Sequence, residues 1–115
     1  MAISEITDEN FEEKVVKSSN VWCLRFTAEW CGPCKQLAPI VEQISEEIKD
    51  VEFGVMDLDS QPNTPTKFGV RGIPTCVILD KGEVKSTKVG LTSHKDLYLF
   101  HLLICYYYHQ IQFLV

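Results

Sequence analysis

Two cysteines three positions apart, in the run Trp30-Cys31-Gly32-Pro33-Cys34-Lys35, are the residues of this chain best suited to making and breaking a bond with each other. A helix opening near Cys34 aims its unpaired backbone N–H groups and the positive end of its dipole at the Cys31 sulfur, which favours thiolate over thiol. Cys31 is therefore the expected nucleophile. Cys34, about one helical turn further in, is placed to attack a mixed disulfide and release a reduced partner. Gly32 and Pro33 suit the intervening turn, because proline in a first helical turn lacks only an N–H that has no partner there. Such a pair can also serve as half of a zinc site or sit inert in a core. The remaining cysteines, Cys23, Cys76 and Cys105, stand singly in apolar runs, and no second Cys-x-x-Cys or His-x-x-x-His completes four ligands. The pattern points to thiol redox chemistry with no metal.

The elements that must position this pair read as alternating strand and helix. Ala2 to Ile6 is an edge-strand candidate. Thr7 or Asp8 can cap a helix running to about Ser18, with Phe11, Val15 and Val16 on one side. Val21 to Thr27 is a short apolar run, the form taken by a central strand buried on both faces, and it delivers the chain to the cysteines. From Cys34 to about Lys49, Leu37, Ile40, Val41, Ile44 and Ile48 recur at helical spacing, with a kink expected at Pro39. Val51 to Leu58 is the next strand. Pro62, Pro65 and Gly69 leave room for a short helix at most. Thr75 to Leu79 and Glu83 to Val89 form a hairpin around Asp80-Lys81-Gly82, and Ser93 with Asp96 opens a last helix. Strands alternating with helices and ending in a hairpin plus helix predict an α/β fold, a central mixed β-sheet flanked by helices on both faces. The site then lies at the carboxyl end of the 21–27 strand.

At 115 residues with 45% hydrophobic content, residues 1–115 read as one domain with a single core. Eleven basic against 16 acidic residues give a net charge of −5, which disfavours a nucleic-acid partner. The start of the chain carries Glu5, Asp8 and Glu9 and lacks the basic-then-apolar pattern of a secretory signal. An odd number of cysteines, two of them a redox pair, fits a reducing cytoplasm better than a disulfide-stapled exported domain.

The order Phe26-Thr27-Ala28-Glu29-Trp30-Cys31-Gly32-Pro33-Cys34-Lys35, Ala38-Pro39, Arg71-Gly72-Ile73-Pro74-Thr75, Gly82 and Gly90 resembles the thioredoxin family over residues 2 to about 97. The resemblance implies the thioredoxin fold, with Pro74 in cis beside the disulfide. It implies a protein-disulfide reductase that needs no bound cofactor: Cys31 attacks a client disulfide, Cys34 resolves the mixed disulfide, and a thioredoxin reductase, a flavoprotein drawing on NADPH, restores the pair. Trp30, Gly72, Ile73, Pro74, Thr75 and Gly90 would form the apolar rim on which clients dock, pairing strand-like near Ile73.

Two departures from the family pattern stand out. Where most members carry a buried aspartate six positions before the first active cysteine, this chain has Arg25, and the lysine that usually accompanies it aligns with Val55. An arginine stays protonated and cannot act as a base. Facing Cys34, it would stabilise a thiolate and make the pair a stronger oxidant. Alternatively it forms an ion pair with Asp57 on the neighbouring strand, or snorkels to the surface. The second departure is the stretch 97–115, which holds no Asp, Glu, Lys or Arg. It has close to the roughly 20 residues of a bilayer span, but its histidines, glutamines and tyrosines argue against a membrane anchor and for packing on its own domain or on a second copy. His101 and His109 read as surface or partly packed residues. Three function classes follow: a disulfide reductase, a more oxidising thiol oxidant or isomerase, and a redox-silent binding module whose contact is the tail.

Overall fold

The computed structural model describes residues 3–102. Its sheet is built from β1 (Ile3–Glu5), β2 (Val21–Thr27), β3 (Val51–Asp57), β4 (Thr75–Asp80) and β5 (Glu83–Val89), in the spatial order β1-β3-β2-β4-β5. β2 lies at the centre, parallel to β3 and antiparallel to β4. Its interior is buried on both faces, which explains why Trp22 to Phe26 does not alternate apolar with polar residues as a half-exposed strand does. The sheet is mixed, as expected.

Alternate β2 side chains feed two apolar layers. Cys23 points to the face covered by α1 (Gly32–Glu47), where Leu37, Val41 and Ile44 pack against Phe53 and Ile78. Each such side chain contributes on the order of 1.5–3 kcal/mol by leaving water. A final helix, α3, occupies residues 94–102 and adds Leu97 to this layer. It opens as expected, with the Asp96 N–H donating to the Ser93 hydroxyl at 3.2 Å. Trp22, Leu24 and Phe26 point the other way, onto Phe11, Val15, Val77 and Leu79. α1 carries Pro33 in its first turn and Pro39 inside it, and it runs on through Pro39.

The amino-terminal helix differs from its prediction. Thr7 boxes the turn ahead of it rather than the helix itself, whose cap position is Phe11: the Asn10 N–H donates to Thr7 Oγ1 at 3.1 Å while the Thr7 N–H donates to Asn10 Oδ1 at 2.7 Å. The helix is then short and wide, a π-helical segment over Glu12–Val16. Asp8 is drawn elsewhere. Its carboxylate accepts the backbone N–H groups of Asn63 (3.1 Å) and Thr64 (2.9 Å) and the Thr64 hydroxyl (2.7 Å), so it caps α2 (Asn63–Lys67) from across the chain.

The β4–β5 hairpin turns through Lys81 and Gly82 at φ 54° and 86°. Two positive-φ residues match the twist of the flanking strands. A Cβ on Gly82 would also meet Val16 at 2.7 Å, so this turn seats on the π-helical segment. Residues 103–115, with His109, Cys105 and most of the apolar stretch, lie outside the described residues. Among the described residues, no helix is long and apolar enough to cross a membrane.

Candidate active site

β2 ends at Thr27, whose carbonyl accepts the Leu58 N–H at 2.8 Å and so ties the strand's exit to the end of β3. One turn later the Ala28 carbonyl accepts the Cys31 N–H at 3.2 Å. Cys31 is the cap of α1, in extended conformation, and its sulfur accepts the Cys34 N–H at 3.2 Å. A free N–H at a helix start thus points at this sulfur, the arrangement that stabilises a thiolate. Cys31 and Cys34 are joined as a disulfide, with Cα atoms 5.3 Å apart. Both are buried, Cys34 more deeply. Gly32 and Pro33 make the first turn of the helix between them.

The second half of the site comes from the loop before β4. The Ile73–Pro74 peptide is cis, and the Ile73 carbonyl lies 4.0 Å from the Cys31 sulfur. Ile73 packs on Ala28, Cys31 and Cys34. The loop is braced twice: the Thr75 hydroxyl donates to the Gly72 carbonyl, and the Gly90 N–H donates to the Pro74 carbonyl at 2.8 Å. Gly90 sits at φ 94°, a conformation L side chains rarely adopt, so it is more than a strand-end glycine. Trp30 is 68% exposed beside the disulfide, and Val89 and Leu91 are exposed near Gly90. The structure therefore groups Trp30, Cys31, Gly32, Pro33 and Cys34 at the start of α1, with Gly72, Ile73, Pro74, Thr75 and Gly90 at the ends of β4 and β5.

Trp30 does not lie loose on the surface. Its indole N–H donates to Asp59 Oδ2 at 2.8 Å, and the Asp59 N–H donates in turn to Asp57 Oδ1 at 2.9 Å. Sequence reasoning missed Asp59, whose only signal was an acidic residue just beyond the β3 end.

Arg25 lies in mid-β2, directly opposite Cys76 of β4 and Val55 of β3. It is buried, and with Cys34, Thr27, Ala38 and Asp57 it lines a cavity of about 240 Å³. Burial lowers the pKa of its guanidinium, against the opposing pull of Cys76, Cys23 and Glu42. The expected ion pair with Asp57 is not formed. Asp57 instead turns its carboxylate onto its own loop, accepting from the Asp59 N–H and the Ser60 hydroxyl.

Cys23 and Cys76 are free and buried, and they are not isolated. A hydrogen bond with Cys76, together with burial, pushes the Cys23 thiol well up; the same bond draws Cys76 down, against burial and with help from Arg25. His101, expected at the surface or partly packed, is fully buried. Its Nδ1–H donates to the Leu97 carbonyl at 2.8 Å, and Nε2 lies 2.9 Å from the Cys23 sulfur. Only strand register and the docking of α3 bring these residues together, and residue spacing carried neither.

The comparisons agree with this geometry. The family model described as Thioredoxin matches residues 2–101. The chain is 44% identical over 96 residues to a thioredoxin of Rickettsia typhi, covering 83% of this chain and 91% of that one. It is 43% identical over 100 residues to a thioredoxin of Acidithiobacillus ferridurans, covering 86% and 93%. It is 44% identical over 96 residues to a thioredoxin of Buchnera aphidicola, covering 83% and 89%. With the cysteine pair at the start of α1, the cis peptide beside it and the mixed sheet behind, these matches establish that the chain belongs to the thioredoxin family of dithiol–disulfide oxidoreductases.

Proposed function

We propose that the protein reduces disulfides in client proteins and is itself restored by a thioredoxin reductase drawing on NADPH. The observation that carries this reading is the Cys31–Cys34 disulfide at the start of α1, with the Cys34 N–H on the Cys31 sulfur and the Ile73 carbonyl beside it. In the reduced protein the Cys31 thiolate attacks one sulfur of a client disulfide. A bond forms between Cys31 and the client, and the second client sulfur leaves as a thiolate and takes up a proton. Cys34 then loses its proton and attacks the Cys31 sulfur, which expels the client sulfur still bonded to Cys31, to be protonated as a thiol, and closes the Cys31–Cys34 disulfide. Two electrons have passed to the client. The protein's own residues carry the whole exchange, so no bound cofactor enters it.

Trp30, Gly72, Ile73, Pro74, Thr75 and Gly90 form the docking rim in this reading, with the client backbone pairing strand-like at Ile73. The free, buried state of Cys23 and Cys76 supports a reducing compartment such as the cytoplasm.

The test is reduction of insulin with dithiothreitol as electron source. The wild-type chain accelerates precipitation of the freed insulin chains, Cys31→Ser abolishes the acceleration, and Cys34→Ser accumulates a mixed disulfide visible by mass. Absence of acceleration by the wild-type chain would sink the reading and favour a binding module.

A further inference from the structure

Among the described residues, Arg25, a cation at the centre of this sheet, has no carboxylate at ion-pair distance. Arg25 is buried in the sheet, with 6% of its surface exposed, and its head lies at the cleft it shares with Cys34. Its Nε is buried without a hydrogen-bond partner. The charged contacts Lys17–Glu13, Lys85–Glu83 and His94–Glu47 do not include Arg25. Buried charges are rarely left in this way, because desolvation costs several kcal/mol per ion. The same side chain lines the cavity of about 240 Å³ into which Cys34 is packed.

We propose that Arg25 is a positioning residue for the exchange reaction: its unpaired charge, sharing a cavity with Cys34, stabilises the thiolate that Cys34 becomes whenever the disulfide opens. The inference rests on the dithiol–disulfide reading above and specifies the direction of exchange the site favours. When a client thiolate attacks the Cys31 sulfur, a client–Cys31 bond forms. The Cys31–Cys34 bond breaks, and its electron pair leaves on Cys34, beside the guanidinium. A second client thiolate then attacks the client sulfur of the mixed disulfide and releases Cys31. The client dithiol is oxidised to a disulfide and the Cys31–Cys34 pair is reduced, the protons of the client thiols passing to solvent or to the released sulfurs. Stabilising the leaving sulfur favours this direction, so the pair is a better acceptor of electrons from client dithiols than one with a neutral group at position 25.

Other charged and titratable groups border Arg25. Lys35 of α1, Glu29 of the preceding loop and Asp57 of β3 line the same cavity, and Glu42 of α1 acts on Arg25 from further along the helix. Asp57 is occupied by the Asp59 N–H and the Ser60 hydroxyl. Cys76 stands directly across from Arg25 in β4, and Cys23 lies two residues away in β2. Cys76 is therefore the competing counter-charge that an experiment must separate from Cys34.

The experiment equilibrates the wild-type, Arg25→Met, Arg25→Lys and Cys76→Ser proteins in graded dithiothreitol buffers and reads the Cys31–Cys34 disulfide fraction by alkylation and mass. Arg25→Met shifts the equilibrium at least tenfold toward the disulfide, about 30 mV for this two-electron couple, while Arg25→Lys stays close to wild type. In parallel, the Cys31→Ser protein keeps Arg25, so its result does not depend on how the Arg25 variants fold. There the Cys34 peptide is alkylated with a pH midpoint below the ordinary thiol value of about 8.5. The proposal is overturned by an equilibrium within twofold of wild type in Arg25→Met, by Arg25→Lys behaving as Arg25→Met, or by a Cys34 midpoint at or above the ordinary value. It is equally overturned if Cys76→Ser, added to Cys31→Ser, lowers the Cys34 midpoint, for Cys76 would then be the resident counter-ion. Insulin reduction by the same wild-type preparation keeps the outcomes separate: its absence removes the reductase reading, whereas its presence with an unmoved equilibrium removes only the role of Arg25.

Discussion

The two active cysteines differ only in where α1 puts them. Cys31, at the cap, accepts the Cys34 N–H and sits 4.0 Å from the Ile73 carbonyl, whereas Cys34 packs inward toward the Arg25 cavity. Spacing alone was enough to read this asymmetry, because a helix start fixes which sulfur its N–H groups meet. Trp30 is different. A side chain 68% exposed keeps one orientation here through its indole N–H on Asp59. A single hydrogen bond contributes about 1 kcal/mol net, and 1.4 kcal/mol is a factor of ten in affinity. Asp59→Ala should therefore raise the KM for a protein client by about fivefold, with kcat and the Cys31–Cys34 equilibrium unchanged. Insulin-reduction kinetics check this; a loss confined to kcat would show that Asp59 acts on the chemistry rather than on the docking rim.

Among the elements, those with strong local signals were legible and those held from a distance were not. β2, α1 and the β4–β5 hairpin follow from an apolar run, an apolar helical period and a turn pair, and they hold the cysteine pair where its spacing said it would be. Asp8 shows the limit. Next to Thr7 it reads as a local cap, yet it caps α2 more than fifty residues later, a contact that exists only once the ends of β1 and β3 are side by side. Arg25 was hidden for the same reason, since Asp57 shares its neighbourhood but is claimed by its own turn. If the Asp8–Thr64 contact is a single cap, Asp8→Ala and Thr64→Ala should each lower the melting temperature, and the double variant should add little to either. Full additivity would show two independent effects. The Thr64 hydroxyl and the Thr64 and Asn63 N–H groups, opposed by burial, hold the Asp8 pKa below its usual 3.8. This contribution is therefore present above that pH and fades as pH falls below it. In the hairpin, Gly82→Ala forces a side chain into φ 86° and against Val16, at a cost of about 1–3 kcal/mol readable in urea melts. A neutral substitution would mean that the turn does not rest on the π-helical segment.

At the scale of the whole molecule, α3 closes one face of the sheet with two fully buried side chains, Leu97 and His101. The buried histidine links this closure to pH. His101 packs tilted against Phe53 and edge-to-face with Phe100, with ring centroids 5.3 and 5.4 Å away, and its ring nitrogens meet the Leu97 carbonyl and the Cys23 sulfur. Burial lowers the His101 pKa below the ordinary 6.5, and the bond to Leu97 offsets this only in part. Below pH 6.5 the unfolded chain therefore binds a proton that the folded one does not. Stability is complete above about 6.5 and is lost as pH falls toward the lowered folded value, on the order of 1.4 kcal/mol per pH unit in that window. Urea unfolding of the wild type at pH 7.5, 6 and 5 should show stability falling once the pH drops below 6.5. His101→Phe preserves ring packing against Phe53 without a titrating group, so it should start lower, through the loss of its polar partners, and change less over the same range. Parallel slopes in the two proteins would mean that the proton is taken up elsewhere. α3 would then hold its place on the sheet through Leu97 and its apolar neighbours alone.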